Sequence, residues 1–187
     1  MKQSIILASS SPRRKELMHL LGIDFEVVSS DAEEVINNDL SPIDVAVTLA
    51  QTKADSVAKK HPDKIVLGCD TIVVINHEIL GKPKDAEDAF DMLSKLSGQS
   101  HQVITGCAII VQNETHFVYD YAHVWFKHLS EQEKYDYIKT NEPFGKAGAY
   151  AIQGFAAKFI EYIEGDYYSI MGLPIAKLYR FFADTFK

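Results

Sequence analysis

Cysteine is scarce in this 187-residue chain, which has only Cys69 and Cys107. Both lie inside apolar runs, IVLGCD and ITGCAII, where a reduced thiol packs as a small hydrophobe, and no disulfide framework is indicated. Basic charge is also in deficit. Nineteen Lys and Arg against 26 Asp and Glu leave a formal charge of −7, which excludes a broad basic face of the kind that holds nucleic acid by neutralising many phosphates. Any basic site must be small and local. No long uncharged run exists for a membrane span, and the apolar stretch from Ile5 to Ala8 is too short for a signal-peptide core. A soluble, cytoplasmic protein with neither nucleic acid nor membrane as partner is the expectation. The seven histidines lack zinc-type spacing, and there is no GxSxG elbow and no GxxxxGK[ST] loop. Repeats, low-complexity segments and linkers are absent too.

What is present is a 47% hydrophobic share, enough for a real core, arranged as alternating strand and helix signals. SIILA leads through a serine-rich loop into PRRKELMHLLG, with Ser11 as N-cap, Pro12 first in the helix, an apolar face of Leu17, Leu20 and Leu21, and Gly22 as the stop. FEVVSS reads as a strand, and SPIDVAVTLAQTKADSVAKK as a long helix capped by Ser41 with Asp44 three residues on. KIVLGCDTIVVI is a nearly continuous apolar run of the central-strand type, and NHEILGKP turns back from it. Asp85 caps a helix with apolar positions Ala86, Ala89, Phe90, Leu93 and Leu96. HQVITGCAIIVQ and THFVYDYAHVWF flank Asn113 and Glu114 as hairpin arms. Ser130 and Glu133 form a capping box. FGKAGAYAIQG is too rich in glycine and alanine for an ordinary helix and reads as a loop or a strained strand. FAAKFIEYIEG and DYYSIMG resemble short strands, and an amphipathic helix beginning at Pro174 closes the chain. The expectation is a single α/β domain over residues 1–187, built as two lobes.

Chemistry concentrates in a few places. SSSPRR sits between a buried strand and a helix, where free N–H groups and the positive end of the dipole favour an anion. Arg13 and Arg14 in that first turn are unfavourable for the helix alone, so a negative partner is implied, either a phosphate or one of the protein's own surplus carboxylates. Ser9 and Ser11 add hydroxyls. Asp70 falls in an apolar strand, where an unpaired carboxylate is costly; such a group suits a hard metal ion or proton transfer from water. Lys53 projects from the apolar side of its helix, among Leu49, Ala50 and Val57, and needs an anion, either Asp70 or a ligand phosphate. Lys82 lies in the turn after the Asp70 strand. The acidic run Asp31, Glu33 and Glu34 follows the second strand, and its carboxylates can converge with Asp70 into an environment for Mg²⁺ or Mn²⁺. The residues alone thus indicate metal-assisted chemistry on a small phosphorylated ligand.

SSSPRRKELM, the Glu33-Glu34 pair, QTKA around Lys53, GCDTIV, GKPKD, LSGQSHQVITG, KAGAYAIQG and the GLP of the last helix together resemble the Maf family of septum formation proteins, over nearly the whole chain. The resemblance implies a central twisted mixed sheet flanked by helices, with a cleft between two lobes as in inosine triphosphatase. It also implies hydrolysis of nucleoside triphosphates to monophosphate and pyrophosphate with a divalent metal. By position, Asp70 resembles the catalytic proton acceptor and Arg13 and Arg14 the phosphate clamp. Ser9, Lys53 and Lys82 resemble further phosphate contacts, and Glu34, with Asp70, a metal ligand. The resemblance further implies Arg13, Thr71 and Gln153 as the specificity residues. Glutamine in AYxIQG marks the branch associated with dTTP and UTP, and a carboxamide matches a pyrimidine N3–H and ring carbonyl. The resemblance also carries an alternative, a nucleotide-binding regulator of cell division without turnover. A damaged-purine triphosphatase of the related fold is disfavoured by Gln153. A homodimer is allowed but not specified. Two departures from the family pattern stand out: Gly145 where EPxDKAG has Asp, and Cys69 where GADT has Ala.

Overall fold

The computed structural model describes residues 5–37 and 39–185. Its strands are β1 (Ile5–Ala8), β2 (Phe25–Val27), β3 (Ile65–Ile75), β4 (Glu78–Leu80), β5 (Ser100–Val111), β6 (Glu114–Phe126) and β7 (Ile160–Gly165). The helices are α1 (Pro12–Leu20), α2 (Pro42–Ala58), α3 (Ala86–Leu96), α4 (Glu131–Ile138), α5 (Tyr167–Met171) and α6 (Ile175–Thr185). The sheet is mixed, seven-stranded and ordered β2-β1-β3-β5-β6-β7, with β4 also paired to β3. β1 is parallel to β2 and β3, with Ile5 opposite Phe25 and Ile65, while β4 pairs antiparallel with β3 and β7 with β6. Among the described residues no helix is long and apolar enough to cross a membrane.

Two compact units divide the described residues. One takes the chain up to Thr71, Thr105–Asp120 and the residues from Gly172 on; the other takes Ile72–Ile104 and Tyr121–Met171. In the first, α2 lies with its backbone almost on the sheet. Ala46, Ala50 and Ala54 recur every four residues on one helix face, all fully buried, opposite Gly106 of β5 and Gly68 of β3. A Cβ on Gly106 would come within 2.6 Å of the Ala46 carbonyl carbon, and one on Gly68 would strike the Ala50 carbonyl oxygen. Small residues on both sides bring the helix close enough for the side chain between Ala50 and Ala54, that of Lys53, to reach the strand.

The second unit packs α3 and α4 around Leu93, Leu96, Tyr137 and Phe159. Enclosing a side chain such as Phe159 or Leu93 stabilises by roughly 1.5–3 kcal/mol. The local signals behave as the sequence indicates: Ser11, Ser41 and Asp85 cap their helices, and Ser130 with Glu133 makes a complete capping box. There Lys127 and the Ser130 backbone hold the Glu133 carboxyl down at about 2. The hairpin turn falls one residue earlier than Asn113-Glu114: Gln112 and Asn113, both left-handed at φ 50° and 68°, form it, and Glu114 already opens β6.

Other expectations are corrected. Leu20 is 62% exposed and leaves the buried face of α1 to Leu17 and Met18; with Leu17 and Leu21 buried, a nine-residue helix has no room to turn Leu20 inward as well. Ala86 is likewise exposed at the start of α3. FEVVSS yields only three strand residues. FAAKF is a 3-10 helix, Phe155–Phe159, and DYYSIM is α5. Aromatic content suggested a strand there, but Asp166 accepts from both the Ser169 N–H (2.8 Å) and hydroxyl (2.6 Å), an N-terminal cap that overrides β propensity.

Candidate active site

The loop leaving β1 holds a guanidinium in place. Ser9, almost fully buried, accepts from the Ser11 N–H and from an Arg14 Nη, each at 3.3 Å. Arg14 donates through Nε to the Gly172 carbonyl and through its other Nη to the Thr71 hydroxyl, each at 2.9 Å. Thr71 lies 2.8 Å from the Thr105 hydroxyl on β5. These three acceptors of Arg14 are uncharged, so they fix its direction without neutralising its charge. Gly172, at φ 114°, permits the approach: a Cβ there would lie 3.3 Å from both Arg14 Nε and Thr71 Oγ1. Arg13 is half-buried one residue earlier.

The neighbouring feature on β3 is the Asp70 carboxylate, 7% exposed. It makes an ion pair with Lys53, whose Nζ also lies 3.0 Å from Glu34 Oε1. Two carboxylates from distant segments therefore meet at one ammonium that is 11% exposed. Of the two anions left open for Lys53 by its sequence position, the protein carboxylate is the one it meets here. The rest of the acidic run goes elsewhere: Asp31 pairs with Lys60 at 2.7 Å on the surface, and Glu33 is exposed. The Ser30 and Ser56 hydroxyls, 2.8 Å apart, tie the run to α2. Behind Asp70, Cys69 and Cys107 are buried free thiols with sulfurs 3.2 Å apart, and burial pushes Cys107 well above its ordinary range.

Lys82 and Gln153 belong to the second unit and are both exposed there. Lys82 follows Gly81, whose carbonyl accepts from the Gly148 N–H at 3.0 Å. Gln153 is carried by the glycine- and alanine-rich segment, which proves to be a loop with a short 3-10 turn, Ala147–Ala149. Gly148 has φ 65° and sits against Val73, where a Cβ would meet the valine side chain at 2.9 Å. Tyr150 shares a 2.8 Å hydrogen bond with His101 Nε2. His101 is 2% exposed, and burial, with His123 nearby, lowers its pKa to about 3. Among the described residues its Nδ1 has no partner, which favours the tautomer with Nε2–H donating to Tyr150, because an unpaired acceptor is tolerated better than an unpaired N–H.

Sequence reasoning did not single out Thr105, Gly172, His101 or Glu142. Glu142 accepts from the backbone N–H groups of Phe155 and Ala156 at 2.9 and 3.3 Å. The only sequence signal for it was its place beside Pro143 at the head of the segment.

Comparison with known proteins shows the family. The model of the family described as Maf-like protein matches residues 4–185. A dTTP/UTP pyrophosphatase of Bacillus cytotoxicus is 51% identical over 95% of this chain and 93% of its own length, and one of Bacillus cereus is 49% identical over the same shares. Among solved structures, a Ham1 protein of Staphylococcus aureus aligns with a TM-score of 0.49 and 17% identity, over 66% of this chain and 72% of that one. So faint a structural likeness bears on nothing beyond itself, whereas the family match spans nearly every element described above. The chain belongs to the Maf family.

Proposed function

We propose that this chain is a nucleoside triphosphate pyrophosphatase, hydrolysing dTTP and UTP to the monophosphate and pyrophosphate. The observation that carries the chemistry is the enclosed Asp70 carboxylate, paired with Lys53 and joined through it to Glu34. The substrate class comes from the relatives of about half identity that bear the name dTTP/UTP pyrophosphatase. In this reading Asp70 takes the proton of the water that attacks the α-phosphorus. An arriving triphosphate draws the Lys53 ammonium to a phosphate oxygen, which releases Asp70 for that task. Arg14, already aimed by uncharged oxygens, stabilises the departing pyrophosphate together with Arg13 and the Ser9 hydroxyl. Lys82 is assigned a phosphate and Gln153 the base, with Arg13 and Thr71 sharing in specificity.

A divalent cation suits the donors present. Among the described residues no group of three or more His, Cys, Asp or Glu is placed to hold a metal. Asp70 and Glu34 are nonetheless hard oxygen donors that converge on one point, and one or two carboxylates completed by substrate phosphates is the usual Mg²⁺ arrangement. The residues therefore fit an ion that arrives with the nucleotide better than a resident one. Bound there, Mg²⁺ or Mn²⁺ would supply charge neutralisation at the phosphate oxygens. The reading places the enzyme among free nucleotides of the cytoplasm.

The test is pyrophosphate release with Mg²⁺ or Mn²⁺, and after chelation, across dTTP, UTP, CTP, dATP, GTP and ITP. Release confined to dTTP and UTP and lost on chelation is the expected result. Binding without release for every triphosphate would favour the regulator reading instead.

A further inference from the structure

The segment from Glu142 to Ala156 has little regular structure, and Gly145, Gly148 and Ala149 hold left-handed backbone at φ 74°, 65° and 59°. Such a run keeps one conformation only where its surroundings fix it. Glu142 does so from within. Its Oε2 accepts from the Phe155 N–H at 2.9 Å and its Oε1 from the Ala156 N–H at 3.3 Å, while the Tyr137 hydroxyl donates to Oε1 at 2.9 Å. The carboxylate thus ties the start of the segment to its end and satisfies opening N–H groups of the 3-10 helix. Any Cβ at residue 154 would fall on the same carboxylate, so glycine there is what lets the clamp close. Gln153 immediately precedes it.

This clamp has a chemical consequence for base selection. Uracil and thymine present an N3–H donor beside carbonyl acceptors; cytosine presents an N3 acceptor beside an amino donor. A carboxamide turned by half a rotation exchanges its own donor and acceptor and then matches cytosine equally well. A glutamine therefore discriminates only if its amide meets the base in one orientation, and a fixed backbone is the first condition for that, because it sets the point from which the side chain reaches and the rotamers that bring the amide to the base. We infer that Glu142 is the positioning residue for base selection, fixing residues 154–156 so that Gln153 favours uracil and thymine over cytosine. The inference rests on the reading of Gln153 as the group that meets the base.

The experiment measures kcat and KM for UTP and CTP in the wild type, Glu142→Ala, Glu142→Gln, Gln153→Ala and the double variant Glu142→Ala/Gln153→Ala. Amide hydrogen exchange at Phe155 and Ala156 is followed in the same full-length proteins. Glu142→Ala is expected to lower the UTP-over-CTP ratio of kcat/KM about tenfold, through a higher KM for UTP and a gain on CTP. Glu142→Gln, which keeps one acceptor, falls between it and the wild type, and the double variant discriminates no worse than Gln153→Ala. Exchange at the two amides accelerates in step. Where Glu142→Ala does not fold, Glu142→Gln decides by the same ratio. A wild-type ratio in the folded Glu142 variants overturns the inference. A wild-type ratio in Gln153→Ala overturns instead the assignment of Gln153 on which it stands.

Discussion

The two compact units hold their polar groups in contrasting ways. In the first, side chains grip one another from regular elements: Lys53 of α2 on Asp70 of β3, and Arg14 of α1 on Thr71 of β3. In the second, the polar segment is irregular and is held mainly through its backbone, by Glu142 on the 155 and 156 amides and by the Gly81 carbonyl on Gly148. Charge fixed on strands and helices suits a reaction that must be the same for every substrate. A backbone-held loop suits the selection proposed for Gln153, because its path depends on a few backbone contacts that can be changed one at a time.

The contrast breaks most visibly at Asp70. Asp70→Asn should lower kcat by about a thousandfold for dTTP and UTP alike, within the range for loss of a general base, with thermal melting little changed. A change in the preferred nucleotide would mean that Asp70 itself takes part in selection. Lys53→Met leaves Asp70 enclosed without its partner and should cost about 3 kcal/mol in denaturant unfolding, recovered in large part by adding Asp70→Asn; no recovery would show that the pair is not a unit.

On the second side, His101 makes stability depend on pH. Its folded pKa of about 3 lies below the ordinary 6.5, so from pH 6.5 downward the unfolded imidazole takes up a proton that the folded one refuses. Stability is full above 6.5 and declines as pH falls toward 3, by about 2 kcal/mol between pH 7 and 5, and His101→Phe should flatten that slope in urea titrations. Gln153→Glu should lower kcat/KM for UTP about tenfold while the Asp70-dependent step persists in single-turnover measurements. The smallest effect is expected at Gly145→Asp. A Cβ there meets nothing within 4 Å, but φ is 74°, a conformation aspartate tolerates at a cost of about 1 kcal/mol. Activity should stay level or rise, and a sharp fall would show a loop adapted to glycine.

The same division governs what could be read from the sequence. Caps at Ser11, Ser41, Asp85 and Ser130 act over three residues and leave a local signature, as does the apolar run of β3. Asp70 and Lys53 were legible because each is a charge in an apolar setting, a conflict that periodicity exposes. Glu142 was not, because its acceptors act on amides 13 and 14 residues further along and a glutamate before a proline looks like ordinary surface. Tyr167 and Tyr168 misled because aromatic composition carries strand propensity while the Asp166 cap acts through geometry. Lys82 had only its turn after the Asp70 strand to mark it, and Gln153 was recognised through family resemblance, since nothing in an exposed glutamine marks it by physics alone.

Arg14 takes one of its acceptors, the Gly172 carbonyl, from 158 residues further along the chain. A chain cut between Thr71 and Gly172 keeps the Ser9 and Thr71 acceptors of Arg14 but loses the one that receives its Nε–H, so the guanidinium is fully aimed only once a segment distant in sequence has folded back onto α1.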